Sequence, residues 1–283
     1  MCGRYTLYHR AGELAKRYHV ATDNMPIEPN DNAAPGQLMP VITAEQSGDR
    51  RLQLMQWGLI PFWAKDPRIG YKLINARDDT VFDKPAWRSI ILHKRCLVPA
   101  DGFYEWQQTD KDSKEHKLDL RKIALPSVLP ASNSEDRLSG GGGAVAPSTR
   151  ENRLMNTDGE PEVVGVLRKL SKQPFYIYPK QSGIFSFAGV WESWQDPSGL
   201  IRNTFSIITT EPNKEMAAIH NRMPVLLHQE DESAWLEPSR QSRDDIEPLL
   251  RPYEDQGLVL YKVSQNVNSP QHNNKSLIYA LKD

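Results

Sequence analysis

The residue with the most distinctive chemistry is a cysteine at position 2, directly after the initiator methionine. A small second residue generally allows Met1 to be removed, so we expect the mature chain to begin with Cys2. Its α-amine and its thiol would then stand on adjacent carbon atoms, as a 1,2-aminothiol. Such a pair condenses with an aldehyde, because the amine forms an imine and the thiol closes a five-membered thiazolidine on the same carbon.

The acid–base properties of this terminus favour it over a lysine as the attacking amine. An α-amine with a pKa near 7.7–8.0 is roughly 10–15% neutral at pH 7, against roughly 0.04% of an exposed lysine. An exposed thiol with a pKa near 8.5 supplies a few per cent of nucleophilic thiolate. The alternative interpretation of Cys2 is structural, since free cysteines are often small buried residues. We expect that structural role for Cys96, in the apolar run CLVPA.

Six short motifs, spread along the chain, carry a resemblance to a known family. They are MCGRY (1–5), NAAPG (32–36), WGLIPFW (57–63), INAR (74–77), ADGFYEW (100–106) and IHNRMP (219–224). In this order, and with cysteine after Met1, they resemble the SRAP family, named for SOS response-associated peptidases and understood as abasic-site processing proteins. The resemblance covers essentially the whole chain except residues 109–172.

The resemblance implies that the protein is an abasic-site sensor. Members of the family bind single-stranded DNA that contains an abasic site and cross-link themselves to it through the N-terminal cysteine. The thiazolidine product shields the lesion from strand cleavage and error-prone bypass. The family name also records a proposed peptidase activity, at least the self-removal of Met1, and the same imine would allow lyase-like or hydrolytic chemistry.

The resemblance also assigns four active-site positions. Cys2 matches the family nucleophile, and Asn75 matches the asparagine that lies against the cross-link, where an amide can donate to a sugar hydroxyl. Glu105 matches a glutamate that orients the α-amine and takes its proton. His220 matches a histidine that moves protons while the closed sugar opens, for which a pKa near 6.5 is suited. The structural alternatives are a turn asparagine, an exposed strand glutamate and a histidine that caps a turn.

Three arginines stand within a few residues of these positions and match family contacts to the DNA backbone: Arg4, Arg77 and Arg222. A guanidinium group can hold a phosphate through two parallel hydrogen bonds. Pro35 and Trp63, with the loop AKDPRIG that follows Trp63, are candidates for stacking on neighbouring bases or wedging a duplex end.

Motifs of other enzyme classes are missing from the sequence. The glycine run at 140–143 is not followed by Lys-Ser or Lys-Thr, so it is not a phosphate-binding loop. HExxH, CxxC and GxSxG are absent, and the seven histidines show no metal-ligand spacing. We therefore expect neither a metal site nor an organic cofactor.

Two other functions remain open on the sequence alone. A peptidase of the N-terminal-nucleophile type would use Cys2 to attack amides, with Glu105 or His220 as its base, although no peptide-binding feature is evident. A non-catalytic reader of modified DNA, for example of oxidised methylcytosine, would not need the α-amine. Acetylation of that amine, or retention of Met1, would leave a reader intact.

The elements that position these residues are predicted to be short and mainly strands. Strand-like runs are 38–44, 51–57, 183–190, 204–210 and 257–263, and helix-like runs are 12–18, 231–236 and 244–250. Strands outnumber helices and do not alternate regularly with them, which favours an α+β fold with mostly antiparallel strands. The SRAP resemblance implies a barrel-like β core with short peripheral helices.

One segment differs in composition from the rest. Residues 109–172 contain none of the 7 Phe, 10 Tyr and 7 Trp residues of the chain, and they include four consecutive glycines. Such a stretch cannot bury enough apolar surface to offset the entropy lost on ordering. We predict a flexible, low-complexity insertion at a hairpin tip, within a single domain formed by residues 1–108 and 173–283.

The charge balance limits the partners. The chain carries 35 basic and 36 acidic residues and a net charge of −1, so any DNA contact must come from a local patch. No apolar run approaches the roughly 18 residues of a membrane span. We expect an intracellular monomer without a membrane contact, nuclear if the chain is eukaryotic, whose partners are single-stranded DNA with abasic sites and the replication machinery.

Overall fold

The computed structural model describes residues 2–21, 25–107, 172–181 and 183–282, which lie in one compact unit. The strands in these ranges are β1 (Arg4–Leu7), β2 (Asn30–Ala33), β3 (Leu38–Ala44), β4 (Arg50–Trp57), β5 (Asn75–Arg77), β6 (Arg95–Ala100), β7 (Gly102–Trp106), β8 (Pro174–Pro179), β9 (Phe185–Gln195), β10 (Ile201–Thr210), β11 (Met223–Pro224), β12 (Leu226–Leu227) and β13 (Leu258–Lys262). The α-helices are α1 (Ala11–Tyr18), α2 (Ile90–His93), α3 (Lys214–Ala217), α4 (Asp231–Leu236) and α5 (Arg243–Ile246). Short 3-10 helices cover Pro67–Lys72, Glu247–Leu249, Gln265–Asn268 and Lys275–Ile278.

The first sheet contains five strands in the order β13-β8-β7-β1-β2, and its neighbours pair antiparallel. Its central part is the β1–β7 pair, in which Tyr5 lies opposite Phe103. Both side chains are buried on the face that looks into the core. This sheet therefore carries the N-terminal strand between two neighbours, close to the middle of the molecule.

The second sheet closes on itself. Strands β10, β4, β3, β6 and β9 follow one another, and β9 pairs again with β10 to complete a ring of five strands. The β10–β4 and β10–β5 pairs are parallel, whereas the other pairs are antiparallel. The α+β class with a mainly antiparallel, barrel-like core and short helices is thus confirmed.

The core joins the two sheets through aromatic side chains. Tyr5 of β1 packs against Trp57 of β4 with ring centres 5.1 Å apart, and against Phe187 of β9 with ring centres 5.9 Å apart. All three side chains are fully buried. Full burial of one large apolar side chain stabilises a fold by about 1.5–3 kcal/mol, so these contacts hold β1 firmly in place.

Most of the predicted elements are confirmed within the described ranges. The run 38–44 is β3 and the run 231–236 is α4, with identical bounds, whereas the run 244–250 is divided between α5 and a 3-10 turn. Strands β7 and β8 pair with Trp106 opposite Pro174. Apart from Lys172, the predicted insertion at 109–172 lies outside the described residues. No helix in the described ranges is long and apolar enough to cross a membrane.

Candidate active site

Cys2 lies two residues before the start of β1 and is fully buried within the main hydrophobic cluster. Its Sγ is 3.8 Å from the carbonyl oxygen of Arg4, to which the thiol donates weakly. Burial raises the pKa of the Cys2 thiol far above its usual range, and the negative charge of Glu105 raises it further. The prediction of a few per cent of thiolate is therefore wrong for a thiol in this environment, which stays protonated at neutral pH. The sulfur needs a base to accept its proton. The predicted loss of Met1 lies outside the described residues.

Asn75 reaches the backbone of Cys2 from strand β5. The parallel pairing of β5 with β10 sets Asn75 opposite Ile207, and the asparagine side chain is almost fully buried. Its Nδ2 donates to the carbonyl oxygen of Cys2 at 2.8 Å, which fixes the backbone of Cys2. Its Oδ1 is buried and has no hydrogen-bond partner in the part of the chain that the structure describes. That oxygen is an acceptor available to a donor group of a bound substrate.

His220 is positioned by the short helix α3, which precedes it. The side chain of Asn213 caps α3 by accepting from the backbone N–H of Met216 at 2.9 Å, and the His220 N–H donates to the Met216 carbonyl oxygen at 2.8 Å. The backbone N–H of Arg222 donates to Nδ1 of His220 at 3.1 Å. Because Nδ1 is an acceptor, the proton of the neutral imidazole belongs on Nε2.

Glu105 faces His220 from strand β7. Its Oε1 is 3.6 Å from Nε2 of His220, and its side chain is only 3% exposed. Burial raises the pKa of the Glu105 carboxyl, and burial also lowers the pKa of His220 to about 4. At neutral pH the pair is therefore a neutral imidazole, with its N–H toward a carboxyl group that binds a proton more readily than usual. Such a pair can both donate and accept a proton.

Two of the arginines predicted to contact DNA are paired with aspartates in this structure. Arg222 donates to Oδ1 of Asp78 at 2.5 Å and to the carbonyl oxygen of Thr209. Arg77 donates to Asp79 through Nε at 3.1 Å and through its terminal nitrogen at 2.5 Å, in an exposed ion pair. The charge of Arg222 acts on His220. Both guanidinium groups would have to share or exchange an aspartate to hold a phosphate.

The third arginine, Arg4, is half-buried and points to the outer face of the first sheet. Its Nη1 donates to Oδ1 of Asn32 at 2.9 Å and to the carbonyl oxygen of Val267 at 2.7 Å. These bonds connect β1 to β2 and to the C-terminal segment. The structure thus gives Arg4 a stabilising role beside Cys2, in addition to the predicted backbone contact.

Of the two predicted stacking residues, Trp63 lies on an exposed loop and Pro35 lies in a separate turn. Trp63 is 48% exposed and its neighbour Phe62 is 69% exposed, whereas Pro35 is half-buried in a turn. The sequence prediction did not single out Tyr71, which is 65% exposed. A Cβ atom at Gly36 would lie only 3.3 Å from the Tyr71 ring, so this ring rests against the turn that contains Pro35. The aromatic composition of the 57–71 segment was the signal that could have found it.

The fold and this site define a class of α+β protein with a closed β-sheet and a buried cysteine next to its N-terminal strand. A buried cysteine at the amino end has an amide on its backbone and a carboxyl–imidazole pair nearby. Within the described ranges, no three His, Cys, Asp or Glu side chains are grouped as metal ligands. The family model described as SOS response associated peptidase (SRAP) matches residues 1–126 and 165–270. The chain belongs to the SRAP family.

Two abasic site processing proteins and a solved structure extend this comparison. The chain is 35% identical over 281 residues to abasic site processing protein YoqW of Bacillus subtilis, covering 98% of this chain and 99% of YoqW. It is 26% identical to abasic site processing protein HMCES of Mus musculus, covering 87% of this chain and 63% of HMCES. A crystal structure of a protein from Bacteroides thetaiotaomicron superposes with a TM-score of 0.72 at 26% identity, covering 99% of this chain and 100% of that one.

Proposed function

We propose that this protein processes abasic sites in DNA and captures the opened sugar covalently through Cys2. The names of YoqW and HMCES support the class of substrate. The observation that carries the mechanism is the surroundings of Cys2. Asn75 holds its carbonyl oxygen at 2.8 Å, and the charge of Glu105, which faces His220 at 3.6 Å, acts on its thiol.

The first requirement of this mechanism is a free α-amine, which removal of Met1 provides. Hydrolysis of the bond between Met1 and Cys2 consumes one water molecule and releases methionine. We assign this peptidase-like step to the same site, because Glu105 and His220 can exchange the protons that hydrolysis moves.

Opening of the sugar precedes capture. An abasic sugar is mostly a closed hemiacetal, and it opens when its 1′-hydroxyl loses a proton while the ring oxygen gains one. Glu105 can accept the first proton, and the Nε2–H of His220 can supply the second. Because the pKa of His220 is lowered, the ring is neutral and carries its proton on Nε2, which faces Glu105. The proton that Nε2 gives to the ring oxygen is replaced by the one that Glu105 has accepted, so the pair returns to its starting state.

The α-amine then attacks the C1′ aldehyde carbon. A carbon–nitrogen bond forms, the amine loses two protons in total, and the carbonyl oxygen leaves as water to give an imine. A carboxyl group with a raised pKa can take a proton from nitrogen and return it to the departing oxygen near neutral pH. Glu105 has that property because it is buried.

Ring closure forms the stable product. The sulfur of Cys2 adds to the imine carbon, a carbon–sulfur bond forms, the carbon–nitrogen double bond becomes single, and the proton of the thiol ends on nitrogen. Because burial keeps the thiol protonated, the transfer needs an acceptor close to sulfur. Glu105 is the acceptor that we assign, and hydrolysis or elimination through the preceding imine would account for lyase-like activity.

Single-stranded DNA is the form of the partner that we favour. An abasic nucleotide has no base to unstack, so drawing it to a buried cysteine costs little. The exposed rings of Phe62, Trp63 and Tyr71 can stack on flanking bases. We further expect the protein to act inside the cell, in the nucleus if it is eukaryotic, and to meet such lesions alongside the replication machinery.

The two alternative functions make different demands on the site. A general peptidase would need an activated thiolate, whereas the Cys2 thiol is buried and has a raised pKa. A reader of modified DNA would need neither the amine nor the thiol. The following experiment distinguishes both alternatives from covalent capture.

The test is the intact mass of the protein before and after incubation with single-stranded DNA that carries one abasic site. We expect a mature chain without Met1, and a denaturation-resistant adduct with the mass of protein plus DNA less one water molecule. Cys2→Ala should abolish the stable adduct, whereas Cys96→Ala, at the other buried cysteine, should retain it. A stable adduct in Cys2→Ala, or full activity with Met1 retained, would refute the mechanism.

A further inference from the structure

Lys172 adds a cation to the site that the sequence motifs do not mark. We infer that its ammonium group contacts a phosphate of the bound strand next to the abasic nucleotide. This inference rests on the proposed function, and it extends phosphate binding beyond the three arginines predicted for that task.

The strand pairing brings Lys172 to the end of the sheet where Glu105 lies. Glu105 is opposite Phe175 in the β7–β8 pair, and Lys172 precedes Phe175 by three residues, about 10 Å of extended chain. The carbonyl oxygen of Lys172 accepts a hydrogen bond from Nε2 of Gln265 at 3.0 Å. The backbone of the exposed lysine is therefore held beside the site, and its long side chain can extend over it.

The charge of Lys172 acts on both titratable groups of the site. Burial raises the pKa of Glu105, and the positive charge of Lys172 opposes that rise. Burial lowers the pKa of His220 to about 4, and the charge of Lys172 lowers it further. Interactions between charges fade over a screening length of about 10 Å at 0.1 M salt. An abasic sugar held between Glu105 and His220 carries a phosphate on each side, so these phosphates lie within reach of Lys172.

The arginines predicted for phosphate binding are already engaged with carboxylates. Arg77 pairs with Asp79, and Arg222 pairs with Asp78. A phosphate that approaches either guanidinium also meets the negative charge of its aspartate, which weakens the attraction. Positive charge from Lys172, on the β7–β8 side of the site, compensates for this loss where the sugar is captured.

The test compares full-length Lys172→Met, Lys172→Arg and Lys180→Met proteins. Lys180 is an exposed lysine directly after the other end of β8, so it is a matched control. Adduct formation is measured at sub-saturating single-stranded DNA between about 50 and 200 mM salt, where each phosphate contact contributes about −0.7 to the slope of log binding against log salt. Lys172→Met should lose one such contribution. The fall in its rate of adduct formation over this range of salt should therefore be about threefold smaller than the fall in the wild-type rate. Lys172→Arg and Lys180→Met should keep the wild-type slope.

Each other outcome overturns the inference. Equal slopes for wild type and Lys172→Met would show that no phosphate contact was removed, and an equal loss in Lys180→Met would show a general charge effect. A uniform fall in rate at every salt concentration would assign Lys172 to the proton transfers instead. Failure of the wild-type protein to form any adduct would refute the proposed function, which is a distinguishable result.

Discussion

The side-chain amide of Asn75 donates from Nδ2 to the carbonyl oxygen of Cys2 at 2.8 Å and so ties strand β5 to the amino end of the chain. The Oδ1 atom of the same amide is buried and has no partner among the described residues. An unsatisfied buried acceptor costs about 1–3 kcal/mol, which a substrate hydroxyl could recover on binding. In the proposed mechanism, one amide thus orients the nucleophile and offers an acceptor to the reacting sugar.

Replacing Asn75 by alanine tests this double role. Asn75→Ala removes both the bond to Cys2 and the free acceptor, and loss of about 1.4 kcal/mol of transition-state stabilisation slows a reaction tenfold. We expect adduct formation at saturating DNA to slow by about tenfold or more. The matched control is Asn203→Ala on β10, where the amide oxygen accepts from Ser193 at 2.8 Å, away from the site. Equal rates for the two variants would contradict the role of Asn75.

Glu105 is predicted to be the proton acceptor for both amine and thiol. Glu105→Gln keeps the shape of the side chain but cannot take up a proton, and general acid–base groups contribute about 10²–10⁴-fold to rates. We expect single-turnover capture to slow by at least about 10²-fold, measured by adduct yield against time. Thermal stability should not fall, because a neutral amide avoids the cost of burying a charge. A variant that unfolds early, or that reacts at the wild-type rate, would argue against this assignment.

His220 makes stability depend on pH in a defined direction. Its pKa is about 4 in the folded chain and near its ordinary value of 6.5 in the unfolded chain, so the unfolded chain takes up the proton first. The contribution of His220 to the free energy of unfolding is therefore fully present above pH 6.5. It is lost as the pH falls toward 4, by up to about 3 kcal/mol. Between pH 6.5 and pH 4, the free energy of unfolding of the wild type should fall by up to this amount more than that of His220→Asn. Urea unfolding at both pH values measures the difference. His93→Asn, at an exposed helix end, should behave like the wild type.

Most of the fold could be predicted from long apolar runs in the sequence, but the short polar strands could not be predicted. The runs 38–44 and 204–210 are strands buried in the closed ring, where continuous apolar sequence is expected. In contrast, β2 is NDNA and β5 is NAR, and neither has residues typical of strands. These two elements exist because neighbouring strands offer backbone partners, which is a tertiary effect. Since β5 carries Asn75, the least predictable part of the fold positions part of the site.

The motifs pointed to Cys2, Asn75, Glu105 and His220, which the fold brings together, but they did not indicate the electrostatic state of these residues. Burial protonates the Cys2 thiol and neutralises His220, and burial is known only once the chain is folded. The sequence indicates a carboxylate partner for Arg77, because Asp78 and Asp79 directly follow this arginine. Arg222 pairs with Asp78 across 144 positions, which local sequence does not indicate.

Trp63 provides a test of the aromatic loop as a stacking surface. Trp63→Ala should weaken binding of single-stranded DNA by about 1–3 kcal/mol, at least about fivefold, because base stacking on an aromatic ring is worth that amount. The tryptophan is 48% exposed, so its removal should change stability little. Leu200→Ala is the control, because Leu200 is 57% exposed but has no aromatic ring. Equal affinities for wild type and Trp63→Ala, measured by fluorescence anisotropy, would exclude stacking on this residue.

The insertion predicted at residues 109–172 is proposed to be dispensable for the domain, and the test removes all of it except Lys172, the proposed phosphate contact. The strands on either side of it are direct neighbours, with Trp106 opposite Pro174 and the N–H of Gln107 donating to the carbonyl oxygen of Gln173 at 2.9 Å. A hairpin connection needs only about two to five residues, so a short Gly-Ser linker can replace the segment while keeping Lys172. The deletion variant should unfold cooperatively and form the abasic-site adduct within about twofold of the wild-type rate, because longer loops add little closure entropy. Loss of cooperative unfolding would instead place part of the segment in the core, and retained folding with loss of the adduct would give it a role in binding DNA.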